Sequence, residues 1–542
     1  MKKFYASVLV ALFLTSASFA ADVTKKGEIN SNETWSKDNT YFLDGYVIIT
    51  DGATVTIEAG TVIKGLNEPS TGDLASALVV ARGGKLIAEG TASSPIIFTS
   101  EFDDVKDKND LDLTKEDECR GLWGGVILLG KAPLGDNNAE ATIEGLPVQD
   151  NTKYGGTVEN DNSGSLRYVS IRHGGSELAP DEEINGLTLG GVGNATTLEH
   201  IEVLYNSDDG IEFFGGSVNL KWAVVGFCGD DGFDWDKGWQ GKGQFWFCYG
   251  GTDAGDHGGE LDGASPDDNA RYVNSTVYNF TFIGGWDGKK TDAKNEHAIL
   301  MRDGTGGTLA NGIVTGYNNY ALQVEDRGES FDSYSKMKDG KLNLLNNIWF
   351  EFGAGSSWND VLLATPEKCT DCSLVELKKE LTDNNNELTN PGIDRKSWVP
   401  NRWSLAATKT GAAEPSGDNF FTNVDYIGAF EPESETSWLT GWTAFDQYVG
   451  PSVSVKKATI ETGIYPNPAS NVTTISFIMK EAGQMNISIV DLQGKVVATV
   501  ASQDFAAGNN SVNFNTSGLE AGIYMINFIN TSATSTAKLI IE

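Results

Sequence analysis

From Tyr41 onward, apolar and polar residues alternate in short runs that glycine interrupts: "YVIITDGATVTIEAGTVIKG", "ALVVARGGKLIAEGTASSPIIFTS", "GLWGGVILLG". Val55 and Ile57, Leu78 and Val80, Ile96 and Phe98, and Val126 and Leu128 take the same side of each run. Strict period-two alternation with β-branched residues and glycine punctuation predicts short strands. The runs recur about every twenty residues, through "LRYVSIRHGG", "LEHIEVLYNSDDG", "LKWAVVGFCGDDG" and "GQFWFCYGG", and resume at "HAILMRDG" and "NYALQVEDRG". A period of that size without helical spacing predicts an all-β fold, a right-handed parallel β-helix whose coils stack at one strand spacing, about 4.8 Å. The leucine-rich repeat shares the period, but its L-x-x-L-x-L-x-x-N signature is absent.

The pattern changes three times. Residues 366–388, "PEKCTDCSLVELKKELTDNNNEL", predict a short amphipathic helix over 373–381 as an excursion from the solenoid. Residues 419–445 are rich in aromatics and are expected to cover the last coil, since an open solenoid end exposes unpaired strand edges. After a linker at 451–461, residues 462–542 alternate in short strands with turns every eight to twelve positions, which predicts a small β-sandwich. The solenoid is thus placed at 21–450. Residues 1–20 read as a Sec signal peptide, with Lys2 and Lys3 ahead of an apolar run and a Ser-Phe-Ala cleavage site at Ala20. No later run is apolar enough to span a bilayer.

Charge sharpens the functional picture. The formal net charge is −35, and loss of Lys2 and Lys3 with the leader makes it more negative. Such a field excludes nucleic acid as a partner and favours divalent cations. Of five cysteines, Cys228 and Cys248 lie about one coil apart and are expected to bridge neighbouring coils; Cys369 and Cys372 are read as a local disulfide, leaving Cys119 over.

Two similar lines, "NSDDGIEFFGG" from Asn206 and "CGDDGFDWDKG" from Cys228, carry the candidate chemistry. With Ile211, Phe213, Phe233 and Trp235 inward, alternation puts Glu212 and Asp234 outward, and "DHGGELDG" extends the outer row to Glu260 and Asp262. Beside it runs a turn row of Asp208, Asp209, Asp230 and Asp231. Stacked like charges repel, and calcium would compensate them; the expected metal set is Asp208, Asp209, Asp230, Asp231, Glu260 and Asp262. Glu212, Asp234 and Trp239, the last expected on a loop or outer face, are the candidate ligand-binding residues.

Tyr465-Pro-Asn-Pro468, Asp491-Leu-Gln-Gly-Lys495, Leu519-Glu-Ala-Gly-Ile-Tyr524 and the closing Lys538-Leu-Ile-Ile-Glu542 resemble the C-terminal sorting domain of type IX secretion substrates in Bacteroidota. That resemblance implies export by the type IX machinery to the cell surface or beyond. The body, on "GATVTIEAGTVIKG", "DDGIEFFGG" and "GKGQFWF", resembles secreted bacterial β-helix proteins, and its expected role is glycan binding or adhesion. The order Asn206-x-Asp208, Asp230-Asp231, His257 between an aspartate and glycines is similar to polygalacturonases. That likeness implies Asp231 as general acid, Asp208 and Asp230 activating water, and His257 orienting the site. The Arg-x-Lys element of that family is missing, and His257 follows Asp256 where those enzymes have glycine. A calcium-dependent lyase, with Lys242, Arg271 or Arg302 as base, is the remaining enzymatic alternative.

Overall fold

The computed structural model describes residues 21–107, 110–113, 115–143, 145–179, 182–286, 288, 296–365, 374–391, 418–431, 437–448, 462–479, 482–490, 496–529 and 534–542. The leader, the Cys369–Cys372 pair and the linker at 451–461 lie outside them.

The body is a parallel β-helix. Thr54–Ile57 pairs in parallel with Lys85–Glu89, and Val62–Gly65 with Ile96–Ser100. One ladder runs through Ala77–Val80, Val126–Leu129, Leu187–Gly190, Ile211–Phe214, Phe233–Asp236, Gly259–Leu261 and His297–Met301. The other two ladders share long strands: Gly164–Arg172, Thr197–Leu204, Asn219–Gly226, Lys242–Tyr249 and Ser275–Ile283.

Each of these long strands bends at one residue that drops out of the register. Arg167 pairs with Glu199 and Val169 with Ile201, so Tyr168 and His200 face each other unpaired at the corner. Tyr168, His200, Trp222, Phe245 and Asn279 hold φ between 50° and 59° there. A left-handed backbone costs a non-glycine residue about 1–2 kcal/mol. The rings offset it by stacking along the corner, with centroids at 4.2 Å for Tyr168–His200, 4.6 Å for His200–Trp222 and 5.7 Å for Trp222–Phe245. From Asn279 the column continues as Asn311 and Asn346, a residue type whose short side chain tolerates this conformation.

Inside, Ile211, Phe213, Phe233 and Trp235 are fully or almost fully buried, as the alternation requires. Trp239 joins them: it is 0 % exposed, stacks on Phe213 at 4.3 Å and donates its Nε1–H to the Val218 carbonyl at 3.1 Å. The outer position expected for it is therefore corrected, because the bore at this coil is wide enough to need a second indole beside Trp246. The expected Cys228–Cys248 bridge is also absent. Both are buried free thiols, and the register pairs Cys248 with Val225 instead.

The two coverings exchange roles relative to expectation. Helix Leu374–Asp383 inserts Leu377 and Leu381 into the main core, so the predicted excursion closes the end of the bore. Residues 419–431 and 437–445 run as straps along the outside of several coils. Lys221 Nζ donates to the Phe420 carbonyl, Gln244 and Thr422 bond each other, and Asn279 donates to the Tyr426 carbonyl. Farther along, Ala444 and Phe445 donate their N–H groups to Glu202 at 2.9 and 2.8 Å. The reason lies in the strands beneath: Phe247 and Ile283 point out of the bore yet are fully buried, and such two-sided apolar strands need a second layer.

Contact density divides the chain into two compact units, Met1–Tyr448 and Val449–Glu542. In the second, Thr462–Tyr465, Val472–Met479 and Gly508–Asn515 form one antiparallel sheet; Gly483–Val490, Val496–Phe505, Gly522–Ile529 and Thr534–Ile541 form another. Phe477, Ile487, Ile526 and Phe528 fill its core. Among the described residues no helix is long and apolar enough to cross a membrane.

Candidate functional site: an acidic cleft on the outer face

Register along the first ladder places Thr188, Glu212, Asp234 and Glu260 directly over one another, all pointing away from the core. A second column stands just before those strands. Gly186 bonds the Asp209 carbonyl, Gly210 the Asp231 carbonyl, Gly232 the His257 carbonyl and Gly258 the Ala298 carbonyl. Counted back from the paired strands, in which Leu187, Ile211, Phe233, Gly259 and Ile299 stack in turn, Asn185, Asp209, Asp231, His257 and His297 occupy one position in successive coils. The glycine that follows each of the first four is there for room rather than for a turn. A Cβ on Gly210 would sit 2.2 Å from Val225 Cγ1, and one on Gly232 2.4 Å from Cys248 Sγ.

The two columns floor a cleft of about 460 Å³, walled by Ile143 and Glu183 from two small hairpins and by the outward ring of Phe214. Asp208, Asp209, Asp230 and Asp231 all line it. Of the residues foreseen from sequence, Trp239, Asp262 and the candidate bases Lys242, Arg271 and Arg302 fall outside the lining, as does His257, which bonds Asp231. His257 donates its backbone N–H to Asp231 Oδ1 at 2.6 Å, and its Nδ1 meets the same oxygen at 2.9 Å. His297 follows, its Nδ1 3.4 Å from His257 Nε2, and stacks on Tyr320. Asp262 is held by Arg302, whose Nε lies 2.8 Å from it and whose Nη2 pairs with Glu260. Glu260 and Asp262, two of the residues expected as metal ligands, are thus both ion-paired with Arg302.

Burial drives the electrostatics. It raises the Asp209, Glu212 and Asp234 carboxyls well above the usual range, and mutual repulsion adds to the rise. Asp231 is pushed up to about 7 by burial, with His257 opposing. Burial alone would lower His257, but the Asp231 carboxylate overrides it and holds the imidazole at about 9. His297, buried beside that cation, falls to about 4.

Asn185, Ile143 and Glu183 in the lining, and Thr188 in the outward column, escaped the sequence reading. Asn185 donates Nδ2 to Glu212, and it lines the cleft. The signal was present: "NGLTL", "DGIEF" and "DGFDW" share a polar residue, glycine and inward-outward-inward alternation.

A stability profile follows from these shifts. A carboxyl raised in the folded state binds more protons there than when unfolded, so its contribution is lost as pH climbs from about 4 through the raised value. His257 acts in the same direction, its contribution present below 6.5 and lost by about 9. His173, His200 and His297, lowered to about 4, oppose this only below 6.5. Chelator-treated protein should accordingly melt at a lower temperature at pH 8.5 than at 6.5, with a slope of about 1.4 kcal/mol per pH unit for each extra proton held by the folded state. A flat or rising Tm across that window would refute the assignment.

Residues 27–404 match the family model described as a pectate-lyase like beta helix domain. The chain belongs to that family. Residues 463–542 match the secretion system C-terminal sorting domain, which makes this a secreted or cell-surface β-helix protein addressed to the type IX machinery. Among solved structures, it is similar to the full-length tailspike protein 2 of Escherichia coli O157:H7 bacteriophage CAB120, at 9 % identity and a TM-score of 0.25. That match covers 92 % of this chain and 64 % of the tailspike. No curated protein matches the chain.

Proposed function

We propose that this pectate-lyase-like β-helix protein binds carbohydrate in the acidic cleft and serves glycan contact or adhesion outside the cell, without turning its ligand over. The observation that carries the reading is the cleft itself: a floor of carboxylate acceptors from three coils beside the apolar surfaces of Phe214 and Ile143. Carboxylates accept hydrogen bonds from adjacent sugar hydroxyls, and an aromatic edge or face covers the C–H side of a pyranose. The lyase alternative loses its bases. Arg302 is paired as above, Arg271 with Glu159 at 3.1 Å, and Lys242 with Asp418.

Hydrolysis is the second reading, and one observation favours it: carboxyls in this cleft retain protons near neutral pH, as a general acid must. Against it, Asp231, the acid in the polygalacturonase-like order, is only 3 % exposed and engaged by both the backbone and ring of His257. The test uses the full chain with a glycan array, followed by polygalacturonate and neutral plant or algal glycans assayed for reducing ends and unsaturated products. Saturable binding without products is expected, weakened about tenfold by Phe214→Ala. Turnover that Asp231→Asn abolishes, with the fold intact, would establish the hydrolase instead.

A further inference from the structure

Four groups of carboxylates and histidines in the described residues bring their ligand atoms within 4.8 Å of one another. Three are poor cation sites. Asp231, His257 and Glu260 contain their own imidazolium, and Arg302 pairs with Glu260. Asp267, Asp303 and Glu325 have Arg327 on two of the three. The Asp208–Asp209–Asp230 group sits at the rim, where Asp230 is exposed. The fourth, Asp209, Glu212 and Asp234, differs: no basic side chain among the described residues forms an ion pair with any of its members.

Two buried oxygens mark the same spot. Asp234 Oδ1 is inaccessible and accepts no hydrogen bond from the described residues. Asn185 is 5 % exposed, gives its Nδ2 to Glu212, and leaves its Oδ1 buried without a donor while lining the cleft. An unpartnered buried carbonyl oxygen costs about 1–3 kcal/mol, and here it shares the cleft with three repelling carboxyls. We propose that one hard divalent cation of the calcium class binds in the middle of the cleft, on Asp209, Glu212, Asp234 and the side-chain carbonyl of Asn185. All four donors are oxygens, the set that calcium takes and softer metals do not favour. The open side of the cleft leaves the remaining positions to water or to ligand hydroxyls.

The inference concerns the same cleft as the proposed function but stands without it. Cation binding with no glycan binding would sustain this site and sink that reading, and the reverse result would do the opposite. Chelator-treated full chain is titrated with CaCl₂ or MgCl₂ by calorimetry at pH 6.5. One calcium per chain is expected, with magnesium at least about tenfold weaker because it demands tight octahedral geometry. Asp234→Asn should weaken calcium about thirtyfold or more and raise the melting temperature of the ion-free protein, since it relieves repulsion; a merely structural carboxylate would lower it. Asn185→Ala should also weaken calcium, whereas Asp267→Asn should leave it unchanged. Absence of saturable calcium binding up to about 10 mM, above the range of weak extracellular sites, overturns the proposal. So does binding that survives Asp234→Asn and disappears with Asp267→Asn.

Discussion

Glu202→Ala should destabilise the body by about 4 kcal/mol and release the strap from its flank. Glu202 is fully buried and receives the N–H groups of Ala444 and Phe445 together with the Ser170 hydroxyl. Arg172 Nε stands 3.9 Å away, and that guanidinium is itself only 2 % exposed. Burial raises the Glu202 carboxyl while Arg172 opposes the rise. Truncation strands two buried backbone donors and leaves Arg172 with Asp103, at 4.0 Å, as its carboxylate, each loss costly on its own. The loss should appear first as local opening. Trp442 packs edge-on against Tyr168 and His200, so strap release exposes its indole, shifts fluorescence to the red and admits protease between residues 437 and 448. Glu202→Gln retains an acceptor and should cost less than half as much. Denaturant melts of the two variants give the comparison; a Glu202→Ala midpoint equal to that of the parent would show that the strap is held by its aromatics alone.

Phe233→Ala should cost about 3–5 kcal/mol, the range for emptying a packed aromatic site. The ring is 0 % exposed, stacks on Trp246 at 4.5 Å and lies 5.7 Å from Phe282. It packs on its own coil and the next, so neighbours cannot collapse into the void without moving their own register. In a solenoid each coil is stabilised chiefly by its neighbours, and the damage should centre on the coils that carry Asp209, Asp231 and His257. Amide hydrogen exchange would localise it: protection should fall in Ile211–Phe214 and Gly259–Leu261 and persist in Ala77–Val80. Uniform loss across all coils would contradict nearest-neighbour stabilisation. Trp239→Ala belongs to the same class, because its indole fills the bore; a change in glycan affinity with no loss of stability would contradict that placement.

The amino-acid sequence by itself determined which residues face out on the first ladder. Alternation has only two phases, and Ile211, Phe213, Phe233 and Trp235 select one, which leaves Glu212, Asp234 and Glu260 outside in the order found. It likewise determined the parallel coil stacking and, through the closing motifs, the export route. Tertiary structure decided what the period cannot express. His257 follows Asp231 by more than one ordinary coil length, yet it sits one coil on, because the extra residues bulge within 250–254 and register resumes at Gly255, whose N–H bonds the Gly229 carbonyl. Arg302 cancels Glu260 and Asp262 from a distant point in the chain, and the strap reaches back across the coils to Glu202. Coil length is free to vary wherever the backbone leaves the ladder, while hydrogen-bond register fixes only the residues inside it. Local pattern therefore sets each residue's face, and only packing between distant segments settles which charges are neutralised and which oxygens in the cleft are left without a partner.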